Sequence, residues 1–141
     1  MQSATDVSEL RKADLTRQRI LEAAAHTFLE KGYAATRLSD IAAAAGMQAG
    51  SIYYHFDSKE QIMAAVLDIG IRGVMEAVRD DVEALGSEVS WRDRIRTALA
   101  AHLRLLLRRG DFTAADIRNY GQLPEALRDR HLQARTEYGE Y

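Results

Sequence analysis

The chain holds a single proline, Pro124, and nine glycines in 141 residues. Proline lacks the backbone N–H that a helix needs, and an internal glycine costs roughly 1 kcal/mol against alanine. A chain this poor in breakers and rich in Ala, Leu, Arg and Glu is expected to be helical nearly throughout. Hydrophobic residues at 47% and charged residues at 28% describe a globular chain with a core rather than a disordered one. With no cysteine, a disulfide framework, a thiolate nucleophile and a cysteine zinc site are excluded, which fits a reducing, cytoplasmic setting. His26, His55, His102 and His131 show no metal-ligand spacing. No uncharged run approaches the roughly 20 residues of a membrane span, and the opening MQSATDVSEL lacks the plan of a signal peptide. No membrane, metal or cofactor is expected as a partner.

Charge gives no broader hint. Nineteen Lys and Arg against twenty-one Asp and Glu leave a net charge of −2, so no global cationic field favours nucleic acid. If the chain binds DNA, a local arrangement of groups must do it.

Residues 1–13 are polar, without a sustained apolar stripe, and read as a flexible tail. From Thr16 the spacing of Ile20, Leu21, Ala24, Phe28 and Leu29 predicts a first helix, capped at Asp14 or Thr16 and closed at Gly32. A second runs from Leu38 to Ala45, with Ile41 and Ala42 inward and Gly46 ending it. A third runs from Ala49 to Phe56. Two short helices joined by so tight a glycine-containing turn have the pattern of a helix-turn-helix. Ser58-Lys59-Glu60-Gln61 has the form of a capping box and opens a fourth helix reaching Gly86, through Ile62, Val66, Ile69, Val74, Val78 and Val82. Gly70 and Gly73 lie inside it. Ser90 caps a fifth helix with Trp91, Ile95, Leu99, Leu103, Leu106 and Leu107 expected inward and Gly110 closing it. A short segment from Thr113 to Tyr120 follows, and Pro124 opens a last helix that still runs where the chain stops, as expected of a truncated polypeptide.

The stretch Gly32–Gln61, GYAATRLSDIAAAAGMQAGSIYYHFDSKEQ, resembles the DNA-binding signature of the TetR family of bacterial repressors. The resemblance is carried by Ile41-Ala42, the turn Ala45-Gly46, the run Gly50-Ser51-Ile52-Tyr53-Tyr54-His55-Phe56, and Ser58-Lys59-Glu60. It implies an all-α protein with a three-helix helix-turn-helix domain over 14–58. A long helix joins that domain to a helical ligand-binding and dimerisation domain over 59–141, incomplete at its C-terminus. It also implies a homodimer acting as a ligand-responsive repressor on a palindromic double-stranded DNA operator. DNA contacts are then expected at Thr36, Arg37, Gln48, Ala49, Ser51, Tyr53, Tyr54, His55 and Lys59. Hydroxyls, imidazole and ammonium suit phosphate oxygens. Gln48 suits adenine and Ala49 a thymine methyl. Gln48 and Ala49 depart from the polar pair usual in the family, and Arg37 stands where a threonine cap is common. Ile52 and Phe56 read as core. Arg11, Lys12, Arg17 and Arg19 form a basic stretch that reads equally as one steering the tail onto DNA or as a solvated charged face.

In the second half, Met75, Leu99, Leu103 and Leu106 are candidate pocket residues, each also readable as ordinary core. Asp116-Ile117-Arg118-Asn119-Tyr120-Gly121-Gln122-Leu123-Pro124, followed by Arg128, Arg135 and Tyr138, is similar to a branch of the family answering to CoA thioesters of lipids or sterol fragments. That similarity implies Arg118, Asn119 and Tyr120 as contacts to a small-molecule effector such as an acyl-CoA, whose phosphates suit guanidinium groups. The alternative is a helical ligand-binding module of the same ancestry that no longer reads DNA. An enzyme is not expected: no nucleophile stands beside a base, and no phosphate-cradling glycine loop occurs.

Overall fold

The computed structural model describes residues 4–108 and 110–139, and among them the chain is all-α. The elements are α1 (Ala4–Lys31), α2 (Leu38–Ala44), α3 (Ala49–Ile52), α4 (Lys59–Glu83), α5 (Trp91–Arg108), α6 (Gly110–Asn119), a 3-10 turn (Tyr120–Gln122) and α7 (Glu125–Gly139). The punctuation follows the expected chemistry. Gly32, Gly46 and Gly86 all take left-handed backbone, with φ of 83°, 69° and 74°, a region closed to most side chains. Ser58 Oγ accepts from Gln61 N at 3.2 Å, and Ser90 Oγ from Asp93 N at 3.2 Å, so both predicted caps form. Pro124 sits just before α7, its carbonyl accepting from Leu127 and Arg128.

Two apolar clusters build the molecule. The larger takes Ile20, Leu21, Ala24 and Phe28 from α1, Ile41 and Ala42 from α2, then Ile52 and Phe56. Ile62, Met63, Val66 and Leu67 complete it from the first turns of α4, and Ala115 of α6 and Leu123 join it from the second half. The head formed by α1–α3 therefore shares its core with the segments that follow. The smaller cluster, Val74, Val78 and Ala101, with Val82, Ala98, Leu105 and Tyr138 packed on it, closes the α4–α5 hairpin.

Three expectations are corrected. The first helix begins at Ala4, so within the described residues the expected tail is helical; residues 1–3 lie outside the description. No glycine or proline falls between Ala4 and Lys31, so the helix packed from Ile20 onward can propagate back through these residues without a new nucleation step. The third helix proper ends at Ile52, and hydrogen bonds from Tyr54, His55 and Phe56 carry single turns on to Phe56. The face of α5 is reversed: Trp91, Ile95, Leu99, Leu103 and Leu107, expected inward, are exposed. Small Ala98 and Ala101, on the other side, let α5 approach Val74 and Val78 of α4, and close approach decides the inner face. No helix among the described residues is long and apolar enough to cross a membrane.

Truncating a fully buried aromatic leaves a cavity, whereas truncating an exposed leucine does not. Phe28→Ala is expected to cost about 3–5 kcal/mol in urea unfolding. Leu103→Ala is expected to stay within about 0.5 kcal/mol. A large loss at Leu103 would mean that its face is covered.

Candidate nucleic-acid interface and small-molecule pocket

α2 and α3 meet across Ala45–Gln48, where Gly46 supplies the left-handed residue. Met47 N donates to Ala42 O at 3.0 Å and tightens the turn. The buried faces, Ile41 and Ala42 on one side and Ile52 on the other, fix which side of α3 looks outward. That outward side carries Gln48, Ala49, Ser51, Tyr53 and Tyr54, all exposed, with His55 half-buried. Tyr54 is 91% exposed and Tyr53 58%. Two phenol rings left in water beside a rigid turn are an unfavourable arrangement for stability alone and a suitable one for contact with a partner. Arg37, at the start of α2, is also exposed, while its backbone N–H is taken by Asp40 Oδ2 at 2.9 Å.

Two expected DNA contacts are committed inside the fold instead. Thr36 is buried, its hydroxyl donating to Gly32 O at 2.7 Å. Lys59 Nζ donates to Tyr33 O at 2.8 Å and Thr36 O at 3.1 Å and lies 4.4 Å from the centre of the Tyr33 ring. Its ammonium joins the start of α4 to the α1–α2 loop, answering the Thr36 carbonyl and adding to the Thr36 N–H bond at the Tyr33 carbonyl. The basic stretch is partly spent likewise. Arg19 Nη2 donates to Ala45 O at 2.7 Å, satisfying the end of α2, and the Arg17 guanidinium stands 4.8 Å from the Phe56 ring centre. No local pattern marks the uses of Lys59, Arg17 and Arg19, since each partner lies far along the chain, whereas Thr36 bonds back only four residues.

Between α4, α5, α6 and α7 is a cavity of about 430 Å³. Ile71, Val74, Leu106 and Ile117 give it apolar walls, while Thr113, Asp116, Tyr120 and Arg135 bring polar groups. His102 Nδ1 lies 2.9 Å from Tyr138 Oη at its edge, the rings stacked. Behind the wall, His131 is 2% exposed, with Nε2 2.8 Å from Asp116 Oδ1 and Nδ1 without a partner. Burial pushes the Asp116 carboxyl up and the His131 imidazole down from their ordinary values. A wider cleft of about 890 Å³ between α1 and the α5–α6 junction is rimmed by charged groups, Asp14, Arg17, Glu22, Arg108 and Asp111 among them.

Of the expected effector contacts, Leu106 and Tyr120 line the apolar cavity. Met75 lies in a separate charged cleft with Asp68, Arg72 and Arg130. Leu99 and Leu103 stand on the outer face of α5. Arg118 and Asn119 point away from the cavity: Arg118 Nη2 reaches Glu30 O at 3.3 Å, and Asn119 is fully buried against the end of α1. Thr113 and Ile117 were not anticipated; their spacing with Asp116 and Tyr120 at three and four residues was the available signal.

Residues 20–66 match the family described as bacterial regulatory proteins, tetR family. The HTH-type transcriptional regulator TtgR of Pseudomonas putida is 46% identical over 57 residues, covering 40% of this chain and 27% of that protein. The crystal structure of the TetR family transcriptional regulator PfmR from Thermus thermophilus superimposes with a TM-score of 0.73 at 30% identity, covering 86% of this chain and 65% of that one. The structure of AibR in complex with isovaleryl coenzyme A and operator DNA superimposes with a TM-score of 0.70 at 26% identity, covering 87% and 65%. The chain thus spans about a quarter of TtgR's length in sequence and about two thirds of the solved chains in structure.

Tyr33 yields a pH prediction. Its hydroxyl is buried without a hydrogen-bond partner, and burial with the nearby Glu60 carboxylate pushes the phenol up to about 12. Between the ordinary tyrosine value near 10 and that folded value, the unfolded chain loses this proton first. Stability is therefore expected to fall as pH rises through that window, by at most about 1.4 kcal/mol per unit from this group. Tyr33→Phe should flatten that part of the profile, because it removes the titrating phenol. Urea midpoints from pH 9 to 12 check both points; an unchanged slope in Tyr33→Phe sinks the assignment.

Proposed function

The chain belongs to the tetR family of bacterial regulatory proteins, and from that premise we propose that it is a ligand-responsive transcriptional regulator, acting as a repressor on double-stranded operator DNA. The observation that carries the reading is the outward face of α3, where Tyr54 and Tyr53 stand in solvent beside Ser51 and Gln48 on a glycine-turned helix pair. Hydroxyls of Ser51, Tyr53 and Tyr54 suit phosphate oxygens and set the register. Gln48 is placed to pair with adenine and Ala49 to meet a thymine methyl. Arg37 supplies a cation from the start of α2. Thr36 and Lys59 support this surface from behind, holding the α1–α2 loop in place.

In this reading residues 14–58 form the DNA-binding unit, and 59–141 contribute to ligand binding and dimerisation. A homodimer presents two heads to half-sites about 34–36 Å apart, one turn of DNA, so its operator is palindromic and the protein works in the cytoplasm. The effector site is the cavity between α4 and α7. Its apolar walls suit an acyl or ring moiety, and Arg135 with Tyr138 suits an anionic group. The likeness to AibR, solved with isovaleryl coenzyme A, supports an acyl-CoA as the first effector class to try.

Mobility shift on the DNA flanking the protein's own gene, with excess non-specific competitor, tests the proposal. A specific shift is expected, and Tyr54→Ala should weaken it about tenfold while leaving the unfolding midpoint unchanged, since its ring touches solvent. A folded, dimeric protein giving no specific shift would instead favour a ligand-binding module that has lost DNA reading.

A further inference from the structure

The walls of the cavity between α4 and α7 are largely apolar, so its few polar groups decide what can be seated there. Most of them are already answered or remain in water. His102 and Tyr138 face each other at 2.9 Å, and Arg135 is exposed. Thr113 carries a hydroxyl that turns to donate or accept as required. Asp116 is different. Its side chain is only 18% exposed, and Oδ1 lies 2.8 Å from His131 Nε2. Among the described residues no other hydrogen bond or ion pair reaches the carboxylate. The imidazole behind it is buried and packed 5.9 Å from the Tyr120 ring, which leaves it no room to swing away. The carboxylate thus has a fixed support on one side and an apolar chamber on the other.

An ionised carboxylate offers about four lone-pair sites, more than one imidazole satisfies. Solvent that reaches the partly exposed side chain answers the rest. An apolar body seated against Ile71, Val74 and Leu106 expels that solvent and leaves the second oxygen bare, which is costly unless the body brings a donor of its own. We propose that Asp116 is a specificity-determining residue of this cavity, selecting an acyl or ring moiety that bears a hydroxyl over the same skeleton without a donor, with His131 as its positioning residue. A hydroxyl fits the wall on both counts, because its hydrogen goes to Asp116 while its oxygen accepts from Thr113 or Arg135. A ketone meets only the second need. A carboxylate meets Asp116 as a like charge, and an ammonium meets Arg135, whose charge already acts on Asp116. The inference rests on the effector-site reading above and deepens it by assigning a functional group to the part of the effector that enters.

Two probes of one saturated bicyclic skeleton test it: decahydro-2-naphthol, which donates and accepts, and decahydro-2-naphthalenone, which only accepts. Each is titrated into the full chain at pH 8. Amide shifts of Thr113 and Ile117 in the cavity wall report binding, with Ile41 and Ala42 of the head as the silent reference. The wild-type chain is expected to favour the alcohol at least about tenfold. Asp116→Val should bring the ratio of dissociation constants near one by weakening the alcohol and sparing the ketone. Losing the partner of a buried histidine can unfold that variant, so the near-isosteric Asp116→Asn carries the same test. Its amide is a weaker acceptor in one orientation and a donor in the other, so the ratio should fall at least about threefold either way. His131→Phe, which keeps the carboxylate and removes its support, should also lower the ratio; an unchanged ratio there strikes out the positioning role. A wild-type ratio near one, or a preference for the ketone, overturns the proposal. So does an unchanged ratio in folded Asp116→Asn, which would leave Asp116 as a structural partner of His131 alone. If neither probe shifts Thr113 or Ile117, the effector-site reading itself fails and the inference with it, whereas binding of both without preference sinks only the inference.

Discussion

Everything in this molecule hangs on α4 having to bury two apolar stretches in two different places. Its first turns, Ile62, Met63, Val66 and Leu67, belong to the core of the three-helix head. Val74 and Val78, two to three turns on, belong to the hairpin with α5. A helix of 25 residues spans roughly 38 Å at 1.5 Å per residue, so these two burials are held at a fixed separation by a rigid rod. One long helix and two short ones around Phe28 and Phe56 make a marginal core by themselves. Sharing α4, and taking Ala115 and Leu123 from further along the chain, is what completes it.

Fastening by backbone hydrogen bonds then gives the head an orientation as well as stability. Apolar contact is tolerant of small rotations, because a methyl group sliding over another loses little. A carbonyl and an N–H facing one amide, as Phe28 O and Tyr33 N face Asn119, allow far less freedom. The bonds are buried, so water cannot replace them at equal free energy, and breaking them leaves unsatisfied polar groups. Directional bonds at the α1–α2 loop therefore fix the angle between α6 and the head more narrowly than an apolar seam would.

Much of this was legible in the residues. Positive-φ glycines at 32, 46 and 86, the serine caps at 58 and 90, and the core positions of α1 and α2 follow from local rules, because each depends on neighbours within one turn. The helix-turn-helix was legible through its short turn and the run from Gly50 to Phe56, and the outward placing of Gln48, Ser51, Tyr53 and Tyr54 agrees with it. The orientation of α5 was not, because that helix has an apolar stripe of large residues and another of small ones. Periodicity identifies both stripes; only the partner helix decides which is inside. Residues 4–13 likewise form helix without an apolar stripe to announce it.

The roles of Thr36, Lys59, Arg118 and Asn119 were harder still, for a reason built into their chemistry. An ammonium or guanidinium suited to a phosphate oxygen is equally suited to a backbone carbonyl, and an amide suited to a ligand is equally suited to a peptide group. Sequence identifies the hydrogen-bonding capacity, but the partner is chosen by which orphan groups the fold brings near. Here the break at Gly32 exposes a cluster of such groups, and Lys59 from α4, Arg118 and Asn119 from α6 and Gln122 beyond it converge there from three parts of the chain. Side chains drawn inward by that demand leave the outer face to Arg37, Gln48, Ser51, Tyr53 and Tyr54. On the function proposed above, recognition would rest on hydroxyls, one amide and the Arg37 guanidinium, with Lys59 holding the loop behind them.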